Sequence, residues 1–179
     1  MPELIATPGQ TVGPFFHDAL PYARGNELVP PGTSGALRLH GVVYDGDGVP
    51  VQDALLEIRQ ADAQGKVPLV EGSLVRDGRF TGWGRAQTDS SGRYWFTTVE
   101  PPGFFSVVVF ARGLLNRLFT RAYVPGDGLA ADSLLSRLSP EERETLIAVR
   151  EADGSLRFDV HLQGDRETVF VSFPGHGDR

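Results

Sequence analysis

The side chains that could carry chemistry in this 179-residue chain are few and far apart. The four histidines, His17, His40, His161 and His176, are all separated by more than five residues. A His-x-His pair would put both rings on one face of a strand, and His-x-x-x-His would do so on a helix. Neither occurs. His40 and His161 fall in predicted strands, where a histidine satisfied by its neighbours is expected, and His176 falls in the C-terminal tail. There is no cysteine, which removes disulfides, thiolate metal sites and a cysteine nucleophile. Nucleophile elbows, phosphate-binding glycine loops and zinc signatures are also absent. Asp45-Gly46-Asp47-Gly48 lacks the spacing and terminal glutamate of a calcium loop and reads as a turn. Glu141, Glu142 and Glu144 read as a solvated helix face. One cation is conspicuous by position. Arg112 closes "EPPGFFSVVVFAR", part of the most apolar stretch of the chain. An arginine at such a strand exit can pair with a structural carboxylate.

The elements around these residues are mostly strands. Val107-Val108-Val109-Phe110 has no polar break and predicts a strand buried on both faces. Further strands are predicted at Leu37–Tyr44, Ala54–Gln60, Gly84–Thr88, Arg93–Val99, Leu118–Val124, Leu156–Leu162 and Thr168–Phe173. The Asp-Gly pairs and Asp89-Ser90-Ser91-Gly92 supply turns between them. Ser139-Pro140-Glu141-Glu142 predicts a capped helix start, with the helix running to about Val149. Many strands, one late helix and no βαβ alternation define an all-β class, a β-sandwich. Residues 1–35 read as an extended arm that is not part of the core, 36–173 as the sandwich, and 174–179 as a frayed tail.

Composition narrows the function classes. Lys plus Arg number 17 against 23 Asp plus Glu, and Lys66 is the only lysine. No basic stripe exists, so nucleic acid is not an expected partner. No apolar run nears the ~20 residues of a membrane span, and Met1–Ile5 lacks a signal-peptide pattern. A cytoplasmic protein without membrane contact is expected.

Several blocks, in order along the chain, carry a resemblance: "TPGQTVGPFFH" (7–17), "GVVYDGDGVPVQDALLEIRQADAQG" (41–65), "GWGRAQTDSSGRYWFTTVEP" (82–101), "VFARGLLNRLFTRAYVP" (109–125) and "RFDVHLQGDRETVFVSF" (157–173). Together they resemble the intradiol ring-cleavage dioxygenases, which fold as β-sandwiches and hold Fe(III) with two tyrosines and two histidines. The motifs place those ligands where this chain has Val67, Phe104 and Ser106. The loop for the second tyrosine, between Pro102 and Phe104, is shortened to almost nothing. The resemblance therefore implies no metal held by this chain, with Fe(III) on a homologous catalytic beta subunit. It also implies a hetero-oligomer of alpha–beta pairs, with protocatechuate bound at the subunit interface. The positions that would line the substrate entrance are Thr11, Gly13, Pro14, Phe15 and Arg112. Gly41–Ile58 alone also resembles transthyretin-like and carboxypeptidase-regulatory sandwich modules, which implies a binding module with no catalytic partner as the alternative.

Overall fold

Alternation of apolar and polar residues builds two sheets in the computed structural model, which describes residues 9–13, 15–69 and 80–173. The strands are β1 (Ala36–Tyr44), β2 (Leu55–Arg59), β3 (Trp83–Gln87), β4 (Arg93–Val99), β5 (Phe104–Phe110), β6 (Leu118–Tyr123), β7 (Val149–Arg150), β8 (Leu156–Arg157) and β9 (Val160–His161). One sheet has the order β4-β1-β8-β7, with β9 continuing along β1, and the other has the order β3-β2-β5-β6. Leu39, Val43 and Phe96 of the first sheet share one core with Leu56, Ile58, Phe105, Val107 and Val109 of the second. This is the expected sandwich: each sheet buries the face that carries its inward-pointing alternate residues.

The predicted turns are closed by their own aspartates. The Asp45 carboxylate accepts hydrogen bonds from the backbone N–H groups of Asp47 (3.0 Å) and Val49 (2.8 Å). Asp62 does the same for Gln64 and Lys66, and Asp89 for Ser91 and Arg93. A carboxylate committed to its own turn in this way favours the bend over ligation.

The β5 expectation changes in one respect. Phe105, Val107 and Val109 are buried, while Phe104, Ser106, Val108 and Phe110 are only half-buried. An antiparallel strand packs one face on the opposing sheet, so the other face of this run points away from the core.

Four further expectations are corrected. The late helix α2 spans only Pro140–Glu144, although its capping box forms as expected between Ser139 and Glu142. Leu146 is drawn into a second small core, and the 146–148 backbone pairs with Tyr123: Tyr123 N–H donates to Leu146 O at 2.8 Å and Ala148 N–H to Tyr123 O at 2.9 Å. Pairing with the distant β6 wins over helix propagation, since propensity is the weaker term. The segment read as an arm contains a one-turn helix, α1 (Phe16–Ala19), and its later residues enter the core. Leu28 and Val29 are buried, with Leu28 N–H bonded to Thr97 O of β4 at 2.8 Å. Residues 168–173 are extended without forming a ladder. Val171 N–H donates to Phe119 O at 2.7 Å, and the Phe119 and Phe173 rings meet edge-on.

The strand expected at Leu156–Leu162 is split into β8 and β9 around Phe158–Asp159. There the Phe158 carbonyl turns inward and accepts from the buried Tyr94 hydroxyl at 2.5 Å. Asp159 accepts from Val42 N–H at 3.0 Å. The inward carbonyl fits only because Gly41, opposite Tyr94 on β1, has no side chain.

Candidate functional site

Arg112 stands where β5 leaves the sheet. Ala111 is buried and anchors a turn closed by Leu114 N–H to Ala111 O at 3.3 Å. Gly113 lies inside it at φ +87°, a conformation that favours glycine. Its N–H donates to Thr11 Oγ1 at 2.8 Å. Thr11 and Arg112, about a hundred positions apart, are thus neighbours, and the arm lies against the exit of β5.

On its other side Arg112 forms an ion pair, through Nε, with Asp53. The register accounts for it. Leu55 pairs with Phe110, and continuing that antiparallel ladder by two residues sets Asp53 opposite Arg112. Ala54, between them in sequence, is clamped by Thr88: its N–H donates to Thr88 Oγ1 at 3.0 Å, and its carbonyl accepts from Thr88 N–H at 3.0 Å. The Asp53 side chain is largely buried while Arg112 is half-exposed. Sequence reading proposed a structural carboxylate without naming it. Extrapolating the β2–β5 register would have found it.

The other expected entrance residues surround this corner unevenly. Gly13 accepts a hydrogen bond from Phe16 N–H at 3.3 Å, and a Cβ added to it would meet nothing within 4 Å. Phe15 precedes α1 and is 78% exposed. Leu115, just past the Arg112 turn, is also exposed. Pro14 lies outside the described residues.

The positions matched to metal ligands have other occupations. Val67 is exposed after the Asp62 turn. The Phe104 ring lies beneath the Arg121 guanidinium, 4.1 Å from its centroid, and against Tyr123. Ser106 faces Arg59 on one side and Arg121 on the other in the strand register. A hydrocarbon ring, an isopropyl group and one hydroxyl beside two guanidinium-bearing neighbours do not fit Fe(III), which selects hard anionic donors and imidazole. The other described tyrosines, and the described histidines, have partners of their own. Tyr22 stacks on Trp83 and Tyr44 on His161. Tyr94 serves Phe158, His17 Nε2 bonds Thr88 O, and His40 meets Glu151 and Ser155. Among the described residues no three His, Cys, Asp or Glu side chains come together as a metal-holding group.

Arg121 is fixed by a small polar cluster. It donates to the Tyr123 hydroxyl at 3.1 Å, which in turn donates to Asp132 at 2.8 Å. Asp132 also accepts from the N–H groups of Leu134 and Leu135. Burial opposes ionisation of Asp132, but these hydrogen bonds and the Arg121 charge outweigh it and hold the carboxyl below its ordinary range. A depressed folded-state value stabilises the fold above the ordinary pKa, and the benefit is lost as pH falls through the folded value. Asp132→Asn is therefore expected to lower Tm by about 3 °C at neutral pH. The gap from wild type should begin to narrow as pH falls below about 3.8 and close only below the lowered folded-state value. Thermal melts across pH check both points, and a gap that does not depend on pH would refute the assignment.

Comparison with known proteins identifies the class to which this sandwich belongs. The family profile described as "Dioxygenase" matches residues 12–109. The chain belongs to this family, the intradiol dioxygenases. It is 37% identical to the protocatechuate 3,4-dioxygenase alpha chain of Burkholderia cepacia, over 95% of this chain and 98% of that one. It is also 32% identical to the beta chain of the same organism's enzyme, over 87% of this chain and 74% of that one. Among solved structures, the dioxygenase domain of a dioxygenase–carbohydrate-binding fusion from Streptomyces sp. SirexAA-E superposes with a TM-score of 0.58. It is 26% identical, covering 88% of this chain and 98% of that one. No helix among the described residues is long and apolar enough to cross a membrane.

Proposed function

We propose that this chain is the non-catalytic alpha subunit of a cytoplasmic protocatechuate 3,4-dioxygenase. Its homologous beta subunit holds the Fe(III), and the two chains together insert both atoms of O₂ into protocatechuate, giving 3-carboxy-cis,cis-muconate. The observation that carries this reading is the hydrogen bond from Gly113 N–H to Thr11 Oγ1. It gathers the arm and the half-exposed Arg112 into one corner, while Val67, Phe104 and Ser106 offer no ligand set.

In this reading each residue has a physical task. The Arg112 guanidinium attracts and orients the ring carboxylate through its planar fork. Gly13, with open space beside it, lets ligand or partner backbone approach. Phe15, exposed in this chain, covers apolar surface on the partner. The outward face of β5, with Phe104, Val108 and Phe110 half-buried, suits the apolar contact that an obligate complex requires.

Oxygen uptake with protocatechuate, measured for this chain, for the beta subunit encoded with it, and for the co-expressed pair, tests the proposal. Turnover is expected from the pair and none from this chain alone. Turnover by the isolated chain, or ferric binding with a tyrosinate charge-transfer colour, would overturn it.

A further inference from the structure

We propose that Asp53 is a positioning residue for substrate selection: it holds Arg112 by its Nε edge, so that the terminal Nη pair faces outward to a ring carboxylate. The inference rests on the reading that Arg112 meets the carboxylate of protocatechuate.

The pair is lopsided in a way that gives the acid a supporting role. The Asp53 side chain is 17% exposed against 56% for Arg112. Among the described residues Arg112 has no polar partner besides Asp53, and Asp53 none besides Arg112. The carboxylate cannot wander, because Ala54 beside it is fully buried and clamped to Thr88. The guanidinium's backbone is equally fixed, by buried Ala111 on one side and the Thr11 bond to Gly113 on the other. A guanidinium presents five donors in a rigid fork. With Nε engaged by Asp53, the Nη groups remain for an incoming carboxylate. Free arginine has many rotamers, and ordering one on binding weakens affinity. Here the ordering is done before substrate arrives. Asp53 also neutralises the local charge, so the pair presents an oriented positive end instead of a bare cation. That arrangement favours a carboxylate in one direction over indiscriminate anion binding.

The test uses the full alpha–beta complex with protocatechuate and uncharged catechol as paired substrates. Asp53→Ala is expected to lower the ratio of kcat/KM for protocatechuate to that for catechol by about tenfold, through KM for protocatechuate. Asp53→Asn, which keeps an acceptor for Nε, should restore the ratio to within about threefold of wild type. Arg112→Gln is run in parallel. If Arg112→Gln lowers the ratio and Asp53→Ala does not, or if Asp53→Ala depresses both substrates equally, Asp53 does not position Arg112 and the inference falls. If Arg112→Gln leaves the ratio unchanged, the substrate reading itself is wrong and this inference goes with it. Should Asp53→Ala fail to assemble, a crystal structure of the wild-type complex with protocatechuate decides the matter. The inference requires Arg112 Nε on Asp53 and an Nη group on the substrate carboxylate at once, and a guanidinium that has left Asp53 refutes it.

Discussion

Arg112→Gln in the alpha–beta complex is expected to cost roughly 10- to 100-fold in kcat/KM for protocatechuate, the equivalent of about 1.5–3 kcal/mol for charge-assisted hydrogen bonds to a carboxylate. The loss should fall on KM. An arginine that grips the carboxylate equally in ground and transition states contributes uniform binding, and its removal leaves kcat in place. Catechol, which has no carboxylate, should lose much less. Glutamine is preferred to alanine because Asp53 is largely buried. A side-chain amide still offers it a donor, whereas alanine would strand a carboxylate and confound binding with stability. Steady-state kinetics on both substrates, with Tm as a control, make the measurement. Equal losses on the two substrates would assign Arg112 to structure alone.

Gly41→Ala is expected to destabilise the fold by about 3 kcal/mol or more, the upper end for an overpacked core site. A Cβ at this position would lie 1.9 Å from Phe158 O and 2.6 Å from Phe158 C. Both are backbone atoms held between Tyr94 and His40: the Phe158 carbonyl accepts from Tyr94 Oη, and Phe158 N–H donates to His40 O at 2.7 Å. Neither can yield without breaking the junction where β8 hands over to β9. For a chain of this size the expected fall in Tm is roughly 6–12 °C. Gly128→Ala is the matched control, since a Cβ there meets nothing within 4 Å. It should be neutral or slightly stabilising, because alanine reduces the freedom of the unfolded chain. Thermal or urea unfolding of both variants suffices. A Gly41→Ala protein within 0.5 kcal/mol of wild type on the scale of ordinary surface changes would show that the close approach is not required.

The two sites were legible to different degrees. The turns at Asp45 and Asp89 were legible from their turn residues, and both carboxylates fold back on their own backbone; Asp62 does the same without having been singled out. Ser139 and Glu142 likewise announced their capping box. The length of that helix did not follow, because Leu146 and Ala148 were claimed by a strand more than twenty positions earlier. Leu28 and Val29 were hidden for the same reason: a short apolar pair in a polar segment carries no period, and only β4 supplies its partner.

Local order was written in the chain itself: strand alternation, turn chemistry, the cap, and an inventory of side chains with no cysteine and no closely spaced pair of histidines. These depend on residues within a few positions of each other, or on what a side chain is chemically, so no fold is needed to read them. Only the tertiary structure could bring Thr11 to Gly113, set Asp53 beside Arg112, and lay Arg121 over Phe104. Each of the first two is a meeting of residues far apart in sequence, and the third depends on how β5 and β6 align. Such meetings are fixed by strand register, where a slip of one residue turns every side chain to the opposite face.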